Sequence, residues 1–97
     1  MTPKAGIYVW VPCALNPGPS GEFLVRILSN RDDESDWVGF VASRFIRLEA
    51  GNRGKIAIRV SRVLNGETVT AIVPGEPLGE RVFTARAQAS WEPAIAV

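Results

Sequence analysis

Apolar residues recur at every second position through most of this chain, and the runs are cut by clusters of proline and glycine. A period of two puts one set of side chains on one face of an extended strand, whereas a helix needs a period near 3.6. Ile7, Val9, Val11 and Cys13 alternate with Tyr8, Trp10 and Pro12, which predicts a first strand with an aromatic pair opposite its apolar face. Phe23, Val25 and Ile27 alternate with Leu24, Arg26 and Leu28, so the second strand is apolar on both faces and reads as central. Ile56, Ile58 and Val60 face one way, and Ala57, Arg59 and Ser61 the other. Arg62 then falls on the apolar side and Val63 on the polar side, which predicts a bulge. Asn65-Gly66 is the strongest hairpin signal, because a type I′ turn needs positive φ at both central positions; it joins strands over 55–64 and 67–73.

Residues 16–21 and 74–79 are dense in proline and glycine and read as loops. Two stretches leave strand and helix in competition. In 37–50, Val38, Phe40 and Ala42 suit a strand, while Val41, Phe45 and Leu48 are spaced for a helix that Gly51 would cap. The expectation there is a strand that gives way to a helical turn or short helix. In 83–91, Phe83, Ala85, Ala87, Ala89 and Trp91 alternate as a strand would, although several residues are better helix formers. Strand is the expectation, with a helix over 84–90 as the alternative. Residues 92–97 read as a loose tail or a final edge strand. The sum is a single all-β domain over 1–97, a small barrel or twisted sandwich of about six strands with at most one short helix, α+β being the alternative.

Composition narrows the chemistry. The 97 residues contain no histidine, which excludes a Ser–His–Asp or Cys–His arrangement and any imidazole-ligated metal. Cys13 is the one cysteine, so no intrachain disulfide forms, and its phase with Val9 and Val11 predicts inert burial. The longest apolar run, 7–13, is too short to cross a membrane, and no cleavage site of a secretory signal follows it. The expectation is a cytoplasmic, soluble, non-enzymatic protein with neither cofactor nor membrane partner. Arginine outnumbers lysine, which fits either a GC-rich genome or planar recognition of carboxylate and phosphate.

Residues 37–48 read Trp-Val-Gly-Phe-Val-Ala-Ser-Arg-Phe-Ile-Arg-Leu. Gly39, Phe40, Ser43, Phe45, Ile46 and Leu48 match a Gly-aromatic strand, a helical turn, an aromatic, a β-branched residue and an apolar anchor. The segment thus resembles the closing part of SH3 and bacterial SH3-like domains. The resemblance implies an SH3-like barrel. Ala42 stands where that family usually carries a groove proline, Arg44 where asparagine is common, and the chain continues to residue 97 beyond a segment that normally closes the domain. It therefore implies a barrel more than it implies binding of proline-rich peptides. A groove of this kind would be lined by Tyr8, Trp37 and Phe45.

Three further features are candidates for function. Tyr8 and Trp10 share the face opposite the first strand's apolar side, and large aromatics placed so are typical interface anchors. A second copy of the chain is the favoured occupant, ahead of a ligand. Arg44, Arg47, Arg53, Lys55, Arg59 and Arg62 are opposed within their stretch by Glu49 alone, so Arg53, Lys55, Arg59 and Arg62 could form a basic stripe for nucleic acid. The whole chain carries only +1, which argues for neutralisation by neighbouring acids. Asp32, Glu34 and Asp36 alternate like calcium ligands, but Trp37 replaces the glycine of an EF-hand loop and Ser43 its final glutamate, so no metal is expected. The resulting expectation is a non-catalytic binding module for an unknown protein or peptide partner, self-associating through the aromatic face. A nucleic-acid-binding barrel and a histidine-free enzyme using the acids of residues 32–36 are the alternatives.

Overall fold

A computed structural model describes residues 4–30, 36–79 and 82–94. Nine strands lie among them: β1 (Tyr8–Pro17), β2 (Glu22–Ile27), β3 (Trp37–Ala42), β4 (Ile46–Leu48), β5 (Arg53–Asn65), β6 (Thr68–Ile72), β7 (Glu76–Pro77), β8 (Val82–Arg86) and β9 (Glu92–Ala94). They form one sheet in the order β7-β3-β2-β1-β5-β6-β8, with β4 added to β5 and β9 to β1. The pairings are antiparallel, and the sheet curls into a half-barrel around a single apolar core. The fold is all-β, and one curled sheet replaces the sandwich alternative. The only helical element among the described residues is a 3-10 turn, Ser43–Phe45, so neither α+β nor a helix over 84–90 is realised.

Alternation delivers the core as expected along β1, β2 and β5. Val9, Val11, Cys13 and Leu15 meet Val25, Ile27, Ile56, Ile58 and Val60 inside the curl. The register of β5 against β6 slips between Val60 and Arg62, where Ser61 is the extra residue of the predicted bulge. The hairpin itself is displaced by one residue. A second slip carries Asn65 into the ladder opposite Thr68, so the turn's central residues are Gly66 and Glu67. Only Gly66 has positive φ (44°), the glycine-first arrangement of a II′-type turn rather than the I′ turn that Asn65-Gly66 suggests.

β3 corrects one candidate site residue. It is apolar on both faces, so periodicity leaves its phase undetermined. Pairing decides it: Val25 lies opposite Gly39 and Ile27 opposite Trp37, which turns Trp37 and Val41 inward. Trp37 is 3% exposed and belongs to the core, where it can line no groove. The strand gives way to the 3-10 turn, as expected for 37–50, and the chain then enters β4, a strand that the sequence pattern did not anticipate. Most of the acidic run (Asp32, Asp33, Glu34 and Ser35) lies outside the described residues, as do residues 80–81 and 95–97.

Candidate functional site

The site is built by one proline in β1. Val60 donates its N–H to the Ile7 carbonyl at 2.9 Å, and Leu15 donates to the Asn52 carbonyl at 2.7 Å. This sets the phase: odd-numbered residues of β1 turn their backbone groups toward β5, and even-numbered residues turn theirs away. On that second edge, Tyr8 and Trp10 meet β9, while Ala14 and Asn16 meet β2. Pro12 falls between the two partners. It has no N–H, so a break in the ladder strands no donor there. Continued pairing would set Leu28 opposite Pro12; instead β2 ends at Ile27, and Leu28 turns outward at 67% exposure.

Beside Val11, Pro12 and Cys13 the sheet therefore has a gap, and a cavity of about 560 Å³ opens there. That lies within the size range of small-molecule sites, roughly 300–1,000 Å³. Its inner wall is apolar: Val11, Cys13, Phe83, Ala85 and Trp91, all core residues. Arg26, Leu28, Ser29, Asn30, Arg53 and Gln88 form its more exposed mouth. Arg26 and Arg53 stand on either side of Ala14 in register, roughly 10 Å apart at Cα from two strand spacings. Arg26 is engaged by Asp36 at 3.2 Å, and Asp36 also accepts the Ser29 N–H at 2.9 Å. Arg53 is exposed, and among the described residues its side chain makes neither an ion pair nor a hydrogen bond.

Asn30 holds one side of the opening. Ala87 donates to the Glu67 carbonyl, so the backbone groups of Arg86 point away from β6, along the free edge of β8. The Asn30 carboxamide bonds both of them: Nδ2 donates to the Arg86 carbonyl and Oδ1 accepts the Arg86 N–H, each at 2.8 Å. One side chain thus stands in for the next strand and ties the chain beyond β2 to the far edge of the sheet. Asn30→Ala is expected to cost about 1–2 kcal/mol of stability for the two lost bonds. Hydrogen exchange at the Arg86 amide should accelerate beyond what that global loss explains; unchanged exchange there would contradict the clamp.

Cys13 supplies surface to the cavity and no reactivity. Burial, with a smaller contribution from the Glu49 carboxylate, pushes its thiol up from 9.0 to about 12. The thiol is protonated at neutral pH and has no nucleophilic role there. Because the folded value is raised, the stabilisation is complete below pH 9 and is lost as pH climbs toward 12. Wild type should therefore lose about 1.4 kcal/mol per pH unit above pH 9 relative to Cys13→Ala. Parallel urea-stability profiles for the two proteins between pH 9 and 11 would refute this.

The other candidate residues are distributed differently. Tyr8 and Trp10 do share the outer face, opposite Arg59 and Ala57 on β5. Trp10 is not open: the Arg47 guanidinium lies 5.1 Å from its ring centroid. Arg47 is held there by Glu92 at 3.3 Å, and Lys55 reaches the same carboxylate at 2.6 Å and Glu49 at 3.9 Å. The Lys55 hydrogen bond, followed by that of Arg47, holds the Glu92 carboxyl below its ordinary value. Phe45 sits in the 3-10 turn, packs against the rim of the core and carries Arg44 over its ring at 4.8 Å. Arg53, Lys55 and Arg59 share the outer side of β5, but Glu92 neutralises the middle member. Arg53 and Arg59 are left about 20 Å apart along the strand, and Arg62 lies beyond the bulge.

Among the described residues, no group of three or more cysteines and carboxylates is placed to hold a metal ion. No helix among them is long and apolar enough to cross a membrane. No protein family, curated protein or solved structure matches the chain. The cavity and Arg26 were absent from the sequence-based candidates, and Arg53 stood among them only as a member of the basic stripe. The cavity's signal was Pro12 itself, a proline within the strongest alternation of the chain.

Proposed function

We propose that this protein is a non-catalytic binding module whose ligand enters the sheet beside Pro12. The observation that carries the reading is an apolar-walled cavity with a guanidinium at its mouth, Arg53, that pairs with no carboxylate among the described residues. An apolar pocket with a few convergent polar groups is the usual form of a ligand site. Among the described residues its lining includes two arginines and a protonated thiol but no carboxylate, which supports binding rather than proton-transfer chemistry. Self-association through Tyr8 and Trp10 is less well supported, because Arg47 and Glu92 lie over that face. A nucleic-acid surface is less well supported for the same reason, since Glu92 takes up Lys55. The strand–turn–strand succession at 37–48 supports an SH3-like barrel as the parent architecture.

N-phenyl-1-naphthylamine, a neutral dye that brightens in apolar sites, tests the reading. Wild type should give a saturable rise, with amide shifts concentrated at Val11, Phe83 and Trp91. Ala85→Met, which fills the inner wall, should abolish the rise while circular dichroism stays native. No saturable binding to wild type, or shifts centred on Tyr8 and Trp10, would sink the proposal.

A further inference from the structure

Resting on the Pro12 cavity as the binding site, we infer that its ligand is an apolar monocarboxylate, with its hydrocarbon body inside and its carboxylate on Arg53. The inner wall offers the ligand's body mainly hydrocarbon, thiol and aromatic surface from Val11, Cys13, Phe83, Ala85 and Trp91. The charged and carboxamide side chains of the lining stand at the mouth, so a ligand polar along its length would lose much of its water without equal replacement inside. The charge at the mouth sets the sign and the amount. Asp36 already occupies Arg26, whereas Arg53 faces no carboxylate among the described residues.

One uncompensated guanidinium matches one negative charge. Its planar fork pairs with a carboxylate through two parallel hydrogen bonds, the geometry that most favours arginine over lysine. A phosphomonoester, with nearly two charges at neutral pH, would find a second cation only by breaking the Arg26–Asp36 pair. Asn30 already bonds Arg86 through one Nδ2 hydrogen and through Oδ1, and a neutral donor there would serve a carboxylate and a carboxamide alike. The ligand class is therefore that of small aromatic or medium-chain carboxylic acids.

The test compares 2-naphthoate with 2-naphthamide, which share a body and nearly a shape but differ in charge. Binding is followed by amide shifts at Phe83, Ala85 and Trp91 in wild type, Arg53→Gln and Arg26→Gln. Wild type should prefer naphthoate by roughly tenfold, the value of one partly solvated charge-assisted pair. Arg53→Gln should erase that preference, whereas Arg26→Gln, which also leaves Asp36 without its cation, should weaken it without erasing it. Equal affinities in wild type, or a preference that survives Arg53→Gln, overturn the carboxylate assignment while leaving the cavity reading in place. Failure of both compounds to shift these amides overturns the cavity reading itself. Native amide dispersion in Arg53→Gln, expected for an exposed position at a strand end, validates the comparison.

Discussion

Trp37→Ala is expected to lower stability by roughly 3–5 kcal/mol, the usual cost of removing a buried aromatic ring. A domain of this size has only about 5–15 kcal/mol in total, and each kcal/mol is worth around 4–8 °C in Tm. The variant should therefore melt at least ~12 °C below wild type, or fail to fold. Trp37 supports this because it is almost wholly buried and because β2, through Ile27, fixes it on the inner face. Trp37→Phe provides the internal control. The indole Nε1 is buried without a hydrogen-bond partner, so the native residue already bears the desolvation of an unmade bond, about 1–3 kcal/mol. Phenylalanine removes that donor and keeps most of the ring, so its net loss should stay below about 1.5 kcal/mol. Chemical denaturation of both variants decides the matter. Equal losses would mean that the nitrogen contributes what its geometry denies.

The contrast between Trp37 and Trp10 shows where sequence pattern is informative and where it stops. Alternation identifies a face only when the two faces differ. In β1 they do, since Val9, Val11 and Cys13 oppose Tyr8, Trp10 and Pro12, and the structure keeps that division. In β3 both faces are apolar, and only the register with β2 turns Trp37 inward. The short strands β4, β7 and β9 hold three residues or fewer, too few for any period to register. The hairpin moved by one residue because a bulge, itself legible from Arg62 and Val63, was followed by a second slip next to the turn.

The site was hidden for a related reason. Lys55, Glu92 and Arg47 meet from three separate strands, with Lys55 and Glu92 standing 37 positions apart in the chain, so no local charge count shows that the stripe is neutralised. The cavity depends on which partner each edge of β1 finds. Pro12 marks the place where pairing must fail, but only the arrival of β2 on one side and β9 on the other turns that failure into an opening.

Gly39→Ala should cost about 2–3 kcal/mol, the upper part of the range for overpacking. A Cβ at this position would lie 2.5 Å from the Glu76 carbonyl oxygen, 2.6 Å from Cη2 of Trp37 and 2.9 Å from Cα of Pro77. Two of the three obstacles are backbone of β7, which pairs with β3 at this point and cannot withdraw without giving up that pairing. Gly79 is the matched control, since a Cβ there meets nothing within 4 Å and its φ is not in the left-handed region; Gly79→Ala should be near neutral. A double-mutant cycle with Trp37→Ala separates ring from backbone. Deleting the ring relieves one of the clashes, so the combined loss should fall short of the sum by about 0.5–1.5 kcal/mol. The β7 carbonyl remains, so the glycine substitution should still cost measurable stability in the Trp37→Ala background. Strict additivity would remove the ring from the account, and a costless Gly39→Ala in that background would remove β7. The predicted middle result would explain why a glycine stands beside an aromatic here: Trp37 folds back over Gly39 on the core side while β7 closes on the same backbone.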